Sequence, residues 1–343
     1  MALRNVKGTK MNDMQKKLAT GTLALAISAL TAVSGTASAE ELKVRLEWLP
    51  YGMHAPFHLA TEKGWYKDAG LEVTIDDGNG SGPAVQLAAA GQYDIAHANL
   101  ATMAIAKGKG APVISVAGFV NKSDMGVLVP RDSGINTPKD LEGKTVYYST
   151  VSFETPFIPA FFRNGGADDS KVNLVNLNPG AKIGTYLSGK GDAMISTVPV
   201  YTIDKFVPRL SKGILFADYG LPLPGFGLVV SEAKLKEKHD AIGKFVAVIT
   251  KAVDATVKGG MIDEAVAAIV AQRPAAKLNP ELLKLQMMAL AEYFDTEATK
   301  GKPTGWQAES DWEKTVKVMQ DAKLLGPDAK ASDFFTNEFV PAN

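Results

Sequence analysis

The residues best suited to chemistry lie at 46–57, where aromatic and titratable side chains crowd a turn that reads LEWLPYGMHAPF. A strand-like run ends at Trp48, and a helix is predicted to begin near Pro56, because proline is tolerated at the first helical position. Open α/β sheets bind ligands at such strand-to-helix corners. We therefore expect Trp48 and Tyr51 to stack on a flat ligand and His54 to hydrogen-bond to it. The alternatives are that Trp48 is a core residue and that His54 only caps the helix.

Two further corners come from the same part of the chain. A glycine-rich turn at 76–83 contains Asn79 and Ser81, and its glycines allow close approach of backbone to ligand, while the next helix offers free N–H groups. The turn matches neither common phosphate-binding motif, and a plain flexible turn is the alternative. Asn99 follows a strand at 94–97, where it can cap the next helix and also contact ligand. Capping alone is the simpler account.

A second group of candidates lies beyond residue 145. Glu154 can favour a helix dipole, or it can accept two hydrogen bonds from an N–H-rich ring whose face Phe153 covers. Ser149 and Thr150 precede them and could bind a small anion. Two aromatic residues, Tyr201 and Phe226, complete the predicted rim.

Enzymatic chemistry finds little support in the residue types. The chain has no cysteine and four histidines, and it lacks a G-x-S-x-G elbow. His54 and His58 are four apart, but no third ligand is spaced to join them and Pro56 disturbs the first turn. We expect no catalytic residue, no metal site and no cofactor; the chain carries no ATP-binding motif.

The amino terminus has the pattern of a secretory signal peptide. A basic start precedes an apolar run at 18–33, and Ala37-Ser38-Ala39 offers a cleavage site before Glu40. The run is shorter than the roughly 20 residues needed to span a bilayer. The whole chain has 37 basic and 37 acidic residues, so removal of the basic leader leaves a mildly acidic protein. No nucleic-acid partner is expected, because phosphate neutralisation needs clustered Lys and Arg.

The elements that must position these residues alternate between strand and helix patterns. Strands are predicted at 44–48, 71–75, 94–97, 113–117 and 126–129, then at 145–149, 172–175 and 193–196, and finally at 228–231. Helices are predicted near 83–90, 156–164 and 182–187, and the tail reads as helices at 240–272, 281–294 and 309–322. Such alternation indicates βαβ units and mostly parallel sheets. The pattern predicts a small α/β lobe that interrupts a larger one.

The chain resembles the solute-binding proteins of nitrate/sulfonate/taurine and pyrimidine-precursor ABC importers. Three stretches carry the resemblance: the corner at 46–57, the element Asp94-Ile95-Ala96-His97-Ala98-Asn99 and the string Asp140-Leu141-Glu142-Gly143-Lys144. The resemblance implies an α/β, two-lobed type II periplasmic binding protein fold, with two mixed or parallel sheets flanked by helices and a cleft between lobes. We expect a signal peptide at 1–39, lobe one at 40–130 and 225–343, and lobe two at 131–224. The chain would cross near Pro130 and return near Pro224.

The same resemblance implies capture of a small-molecule ligand by lobe closure, delivery to an ABC permease at the inner membrane, and a separate ATPase subunit. The predicted ligand is a pyrimidine-type heterocycle such as a thiamine precursor, because the corners are aromatic, a carboxylate is available and only five arginines follow the leader. The second choice of ligand is a sulfonate or nitrate, and flavins and aromatic carboxylates are further alternatives. A periplasmic sensor without transport is a different possibility. We expect a monomer.

Overall fold

The structure is a computed structural model that describes residues 39–205 and 208–341. The predicted leader falls, except for Ala39, outside the described residues, so it stays a prediction. Within the described ranges, no helix combines the length and the apolar character that a membrane crossing requires.

Ten strands occur in the described residues, and their bounds lie close to most of the predicted ones. They are β1 (Glu40–Arg45), β2 (Leu71–Asp76), β3 (Ile95–Asn99), β4 (Val113–Gly118), β5 (Met125–Pro130), β6 (Thr145–Tyr148), β7 (Asn173–Asn176), β8 (Ala193–Thr197), β9 (Ser211–Leu215) and β10 (Phe226–Ser231).

The strands form two mixed sheets of five. The first has the order β2-β1-β3-β10-β4, in which β1 pairs in parallel with β2 and β3 while β10 runs antiparallel between β3 and β4. The second has the order β7-β6-β8-β5-β9, with β5 antiparallel to both neighbours. Every residue of β3, β8 and β10 is buried, as expected for central strands covered on both faces.

The place where the chain changes sheets differs from the prediction. β5 pairs with β8 and β9, so the first crossing lies at 119–124 and not near Pro130. Burial explains the error, because Met125 to Val129 are buried throughout and would suit a central strand of either sheet. The return lies between β9 and β10, which includes Pro224. The division into two lobes at these crossings stays a prediction.

Helices flank both sheets. They are α1 (Ala55–Glu62), α2 (Trp65–Asp68), α3 (Ser81–Ala89), α4 (Leu100–Gly108), α5 (Ile158–Asn164), α6 (Pro179–Leu187), α7 (Val198–Tyr201), α8 (Glu232–Glu237), α9 (His239–Val257), α10 (Ile262–Gln272), α11 (Pro280–Ala291) and α12 (Glu309–Asp321). The predicted helix at 240–272 is interrupted between α9 and α10. Gly260 has a φ of 74° there, a left-handed conformation that glycine adopts easily and that ends a helix.

Candidate ligand-binding site

A pocket lies where the two sheets face each other, and both sheets contribute to its wall. Glu47, Trp48 and Tyr51 follow β1, Ser81 opens α3, and Phe226 opens β10. The opposite wall comes from the segment that follows β6, from α6, from the end of β8 and from α7: Ser152, Phe153, Glu154, Lys182, Ser196, Thr197, Val200 and Tyr201. The pocket therefore sits near strand ends, where open α/β sheets bind ligands.

The glycine-rich turn positions the corner that follows β1. The N–H of Gly78 donates to the carbonyl of Trp48 at 3.0 Å, and that of Gly80 donates to the carbonyl of Glu47 at 2.6 Å. A Cβ on Gly78 would lie 2.1 Å from the carbonyl oxygen of Leu46, so only glycine fits. Gly78 and Gly80 therefore allow the glycine-rich turn to pack closely against the backbone of residues 46–48.

Aromatic rings line both sides of the pocket. The rings of Phe153 and Phe226 meet edge to face, with centroids 5.2 Å apart and an interplanar angle of 78°. Phe226 also stacks on His97, at 5.7 Å. Tyr201, whose pKa is raised by burial, lies beside Trp48. This arrangement presents ring faces and edges to a flat ligand from two directions.

Glu47 is the best-satisfied charged group of the wall. Its carboxylate accepts a hydrogen bond from the Tyr51 hydroxyl at 2.9 Å, lies 3.1 Å from His54 Nε2, and is in close contact with His97 Nδ1. Burial opposes ionisation of Glu47, but the charges and hydrogen bonds of His97 and His54 outweigh it and hold the pKa well below its usual range. An ionised carboxylate is thus built into the first-sheet wall.

The same three residues have the composition of a metal site, since donor atoms of Glu47, His54 and His97 lie within 4.8 Å of one another. A metal-bound histidine normally donates its other ring N–H to an acceptor. His54 Nδ1 and His97 Nε2 have no hydrogen-bond partner in the structure. The cluster therefore fits a hydrogen-bonded carboxylate better than a metal centre.

Glu154 and Lys182 form the charged part of the opposite wall. Both are nearly inaccessible, with 2% and 1% of their surface exposed. Lys182 Nζ donates to the carbonyl of Ile195 at 2.8 Å and to Ser152 Oγ at 3.3 Å, and lies 6.0 Å from the centre of the Trp48 ring. Burial raises the pKa of Glu154, with Lys182 opposing the shift, and burial lowers the pKa of Lys182, with Glu154 opposing. Glu154 Oε2 has no hydrogen-bond partner.

A third buried carboxyl lies close to this wall. Asp124 precedes β5, is fully buried, and has no hydrogen-bond partner for either carboxyl oxygen. Burial raises its pKa to about 7. The neighbouring strand pairing places Met125 opposite Thr197, which lines the pocket.

Seven of the twelve predicted site residues line this pocket, and whether they contact a ligand stays a prediction. They are Trp48, Tyr51, Ser81, Phe153, Glu154, Tyr201 and Phe226.

The other five predicted residues lie outside the pocket wall. His54 is buried against Glu47, and Asn99 caps α4 by accepting from the Thr102 N–H at 3.1 Å. Ser149 is buried, whereas Asn79 and Thr150 are exposed.

Six lining residues were not among the twelve predicted contacts: Glu47, Ser152, Lys182, Ser196, Thr197 and Val200. Ser196 and Thr197 end β8, so their position at a strand end was a usable signal. Lys182 carries no such signal, because a lysine on a short helix is normally solvated. Only the packing of α6 against β8 shows that it is buried.

Comparison with known proteins places the chain in a family. The family model described as "NMT1/THI5 like" matches residues 52–259. The chain belongs to this NMT1/THI5-like family. The resemblance noted in the sequence is confirmed.

Relatives of two kinds are similar to this NMT1/THI5-like chain. The formylaminopyrimidine-binding protein of Halalkalibacterium halodurans is 25% identical over 302 residues, which cover 87% of this chain and 90% of that protein. The Saccharomyces cerevisiae 4-amino-5-hydroxymethyl-2-methylpyrimidine phosphate synthase THI13 is 24% identical over 317 residues, or 88% of each. The similar proteins thus include a binding protein and a synthase.

The fold also matches solved structures. The alkanesulfonate-binding protein SsuA from Xanthomonas axonopodis pv. citri, bound to MOPS, aligns with a TM-score of 0.66 at 14% identity, covering 88% of this chain and 99% of that one. The predicted fold class, a type II periplasmic binding protein fold, is confirmed. At this identity the likeness concerns the fold.

Proposed function

We propose that this protein is the solute-binding subunit of an ABC importer and that it captures a flat, N–H-rich ring of the pyrimidine type in the periplasm. The observation that carries the proposal is Glu154, a buried carboxyl with an unpartnered oxygen on the wall of an aromatic pocket. A buried polar group without a partner costs free energy until something bonds to it. A ring amino group or ring N–H supplies that bond.

The aromatic residues support the same ligand class. Trp48 and Tyr51 on one side and Phe153 on the other offer apolar area to the faces and edges of a planar ring. A relative that covers most of this chain is named for binding a formylaminopyrimidine. An aminopyrimidine combines a flat ring with donors on its edge, so it suits both features of the pocket.

An anionic ligand suits the pocket less well. The lining residues include the carboxyls of Glu47 and Glu154 and a single cation, Lys182, with no arginine. The hydroxyls of Ser81, Ser152 and Ser196 offer donors, but a sulfonate would lie among carboxylates in a water-poor site, where like charges repel strongly. The likeness to an alkanesulfonate-binding protein extends only to the fold.

Binding without turnover is the proposed activity, although some relatives are named as synthases. Ser152 and Lys182 are the nucleophile and base that come nearest to a catalytic pair in the pocket, at 3.3 Å. Burial lowers the pKa of Lys182, with the carboxyl of Glu154 opposing the shift, and its Nζ is engaged as a donor to Ser152 Oγ and to the carbonyl of Ile195. We expect a bound ligand to be recovered chemically unchanged, as checked by mass spectrometry.

Capture by closure follows from the two-sided wall. A Cβ on Gly80 would lie 2.6 Å from the carbonyl oxygen of Val151, so segments of the two sheets touch at this edge of the pocket. Because Phe153 and Glu154 are buried, a ligand needs the sheets to move apart to reach them. A permease and an ATPase subunit would then receive the closed protein.

A thermal-shift screen tests the ligand class. We expect 4-amino-5-hydroxymethyl-2-methylpyrimidine or its formylamino relative to raise the midpoint of unfolding, because a ligand at a hundredfold excess over its Kd adds about 2.7 kcal/mol of stability. Riboflavin, alkanesulfonates and nitrate should give no shift. Glu154→Gln and Trp48→Ala should each reduce the shift.

The matched control is Glu237→Gln, which changes an exposed carboxylate with 58% of its side chain accessible. It should respond as the wild type does. A shift with sulfonates or nitrate alone would overturn the proposal and favour an anion-binding subunit.

A further inference from the structure

We propose that two residues outside the pocket, Glu281 and Lys205, form an ion pair that holds the two walls together around a bound ligand. The pair slows the escape of the ligand without touching it. This rests on the proposed function, in which the walls close on what they bind. Glu281 and Lys205 thereby become positioning residues for a pocket that they do not line.

Helix α11, which carries Glu281, belongs to the first wall. It packs against α9 and α10, and both of these pack against α1, the helix that follows the pocket corner after β1. The buried Gln286 of α11 accepts a hydrogen bond from the N–H of Gly52 at 3.1 Å, next to the pocket residue Tyr51. A Cβ on Gly52 would lie 2.3 Å from the carbonyl oxygen of Leu283, so α11 rests directly on this corner.

Lys205 belongs to the second wall. It lies shortly after α7, whose Val200 and Tyr201 line the pocket. Helix α7 packs against β5 and β9, two strands of the second sheet. It also contacts α11, so the two helices meet where one wall faces the other. The ion pair between Lys205 Nζ and Glu281 Oε1 therefore joins the walls, and movement of the sheets apart breaks it.

Neighbouring ion pairs do not cross between the walls. Arg131 pairs with Asp204 within the second wall, and Lys284 of α11 pairs with Asp263 of α10 within the first. Opening of the pocket leaves such pairs intact. They provide controls of similar chemistry that differ in the one property that matters here.

The expected effect on affinity is modest. The side chains of Lys205 and Glu281 are 64% and 52% exposed, and exposed ion pairs contribute little and are screened by salt. Loss of the pair should weaken binding about two- to fivefold. A ligand enters while the walls are apart and leaves after they separate, so the loss should appear in the dissociation rate constant and not in the association rate constant.

Stopped-flow binding of 4-amino-5-hydroxymethyl-2-methylpyrimidine tests the proposal, at a pH at which the free ring is uncharged. Tryptophan fluorescence can report binding, because Trp48 lines the pocket. In the wild type, dissociation should become about two- to fivefold faster between low salt and about 0.5 M salt. Lys205→Glu places a second carboxylate beside Glu281, and at low salt it should release the ligand at least as fast as the wild type does at high salt.

Exchange of the two charges separates a contact between the walls from an effect at the end of the helix. Glu281 lies in the first turn of α11, where an acidic residue favours the helix dipole. Lys205→Glu combined with Glu281→Lys loses that benefit but restores attraction across the gap, so it should recover most of the slow dissociation. Asp263→Asn, which removes the pair with Lys284, should dissociate as the wild type does.

Each outcome decides a different point. Dissociation that responds neither to salt nor to Lys205→Glu overturns this inference and leaves the proposed function standing. Fast dissociation that persists after the charges are exchanged contradicts the pairing of these two residues. Absence of any aminopyrimidine binding in the wild type overturns the proposed function and this inference with it.

Discussion

At the scale of single residues, Glu47 ties the chemistry of the pocket to the stability of the fold. Tyr51, His54 and His97 all direct a donor to its carboxylate, and each of them is buried. His97 in turn stacks on Phe226, a residue of the pocket wall. A change at Glu47 should therefore unsettle several buried polar groups at once.

We expect Glu47→Gln to lower the free energy of unfolding by about 3 kcal/mol at pH 7, because charge-assisted hydrogen bonds are lost and buried donors are left poorly paired. Because the pKa of Glu47 is lowered in the folded state, its contribution is present above the unfolded-state value of about 4.3 and is lost as the pH falls below it. The stability of the wild type should thus fall more steeply on acidification than that of the variant.

Urea unfolding at pH 7 and at pH 3 measures both effects. Glu237→Gln, again exposed, should follow the wild-type curve at both values. A stability gap between wild type and Glu47→Gln that stays constant with pH would show that the carboxylate is not the group responsible.

At the scale of elements, the corners between strands and helices were the predictable part of the site. Trp48, Phe153 and Tyr201 were predicted because aromatic residues placed where a strand gives way to a helix face the ligand-binding edge of an α/β sheet. Lys182 was not predicted, because it sits within α6 and only the packing of α6 on β8 buries it. β9 was missed as well, since the sequence SKGIL begins with polar residues and contains a glycine, both unfavourable for a strand.

The sequence left open whether Asn99 only caps a helix or also contacts the ligand. Its side chain caps α4, and its backbone N–H donates to Ser81 Oγ at 3.0 Å, so it supports the wall without lining it. We expect Asn99→Ala to lower the free energy of unfolding by about 1 kcal/mol, with no loss of ligand affinity once the folded fraction is taken into account.

Denaturation and calorimetric titration separate these two effects. The matched control is Asn279→Ala, which removes an equivalent cap from α11, where Asn279 accepts from the Leu282 N–H at 3.1 Å. Both variants should lose similar stability. A tenfold loss of affinity in Asn99→Ala alone would restore the contact with ligand that the sequence suggested.

At the scale of the whole molecule, the arrangement of two sheets was predictable but the crossing between them was not. Alternating strand and helix patterns indicated two α/β units. The buried run of β5 fits a central strand of either sheet, so its partner could not be read from periodicity alone. The crossings at 119–124 and 216–225 are therefore where we expect the hinge.

Motion about this hinge can be measured without interference, because the chain has no cysteine. Glu72 on β2 and Asn173 on β7 are exposed and belong to different sheets, so Glu72→Cys with Asn173→Cys gives a spin-labelled pair that reports the separation of the two sheets. We expect the distance distribution to become shorter and narrower when the aminopyrimidine is added, because both walls must contact the ligand.

A second pair within one sheet, Glu72→Cys with Glu41→Cys, serves as control, since adjacent strands β1 and β2 move together. Its distance should not respond to ligand. In Trp48→Ala, the change in distance between the first pair should require far more ligand, because the contacts between Trp48 and the ligand stabilise the closed form. If the first pair gives the same distribution with and without saturating ligand, binding proceeds without closure, and the two sheets form a preset pocket.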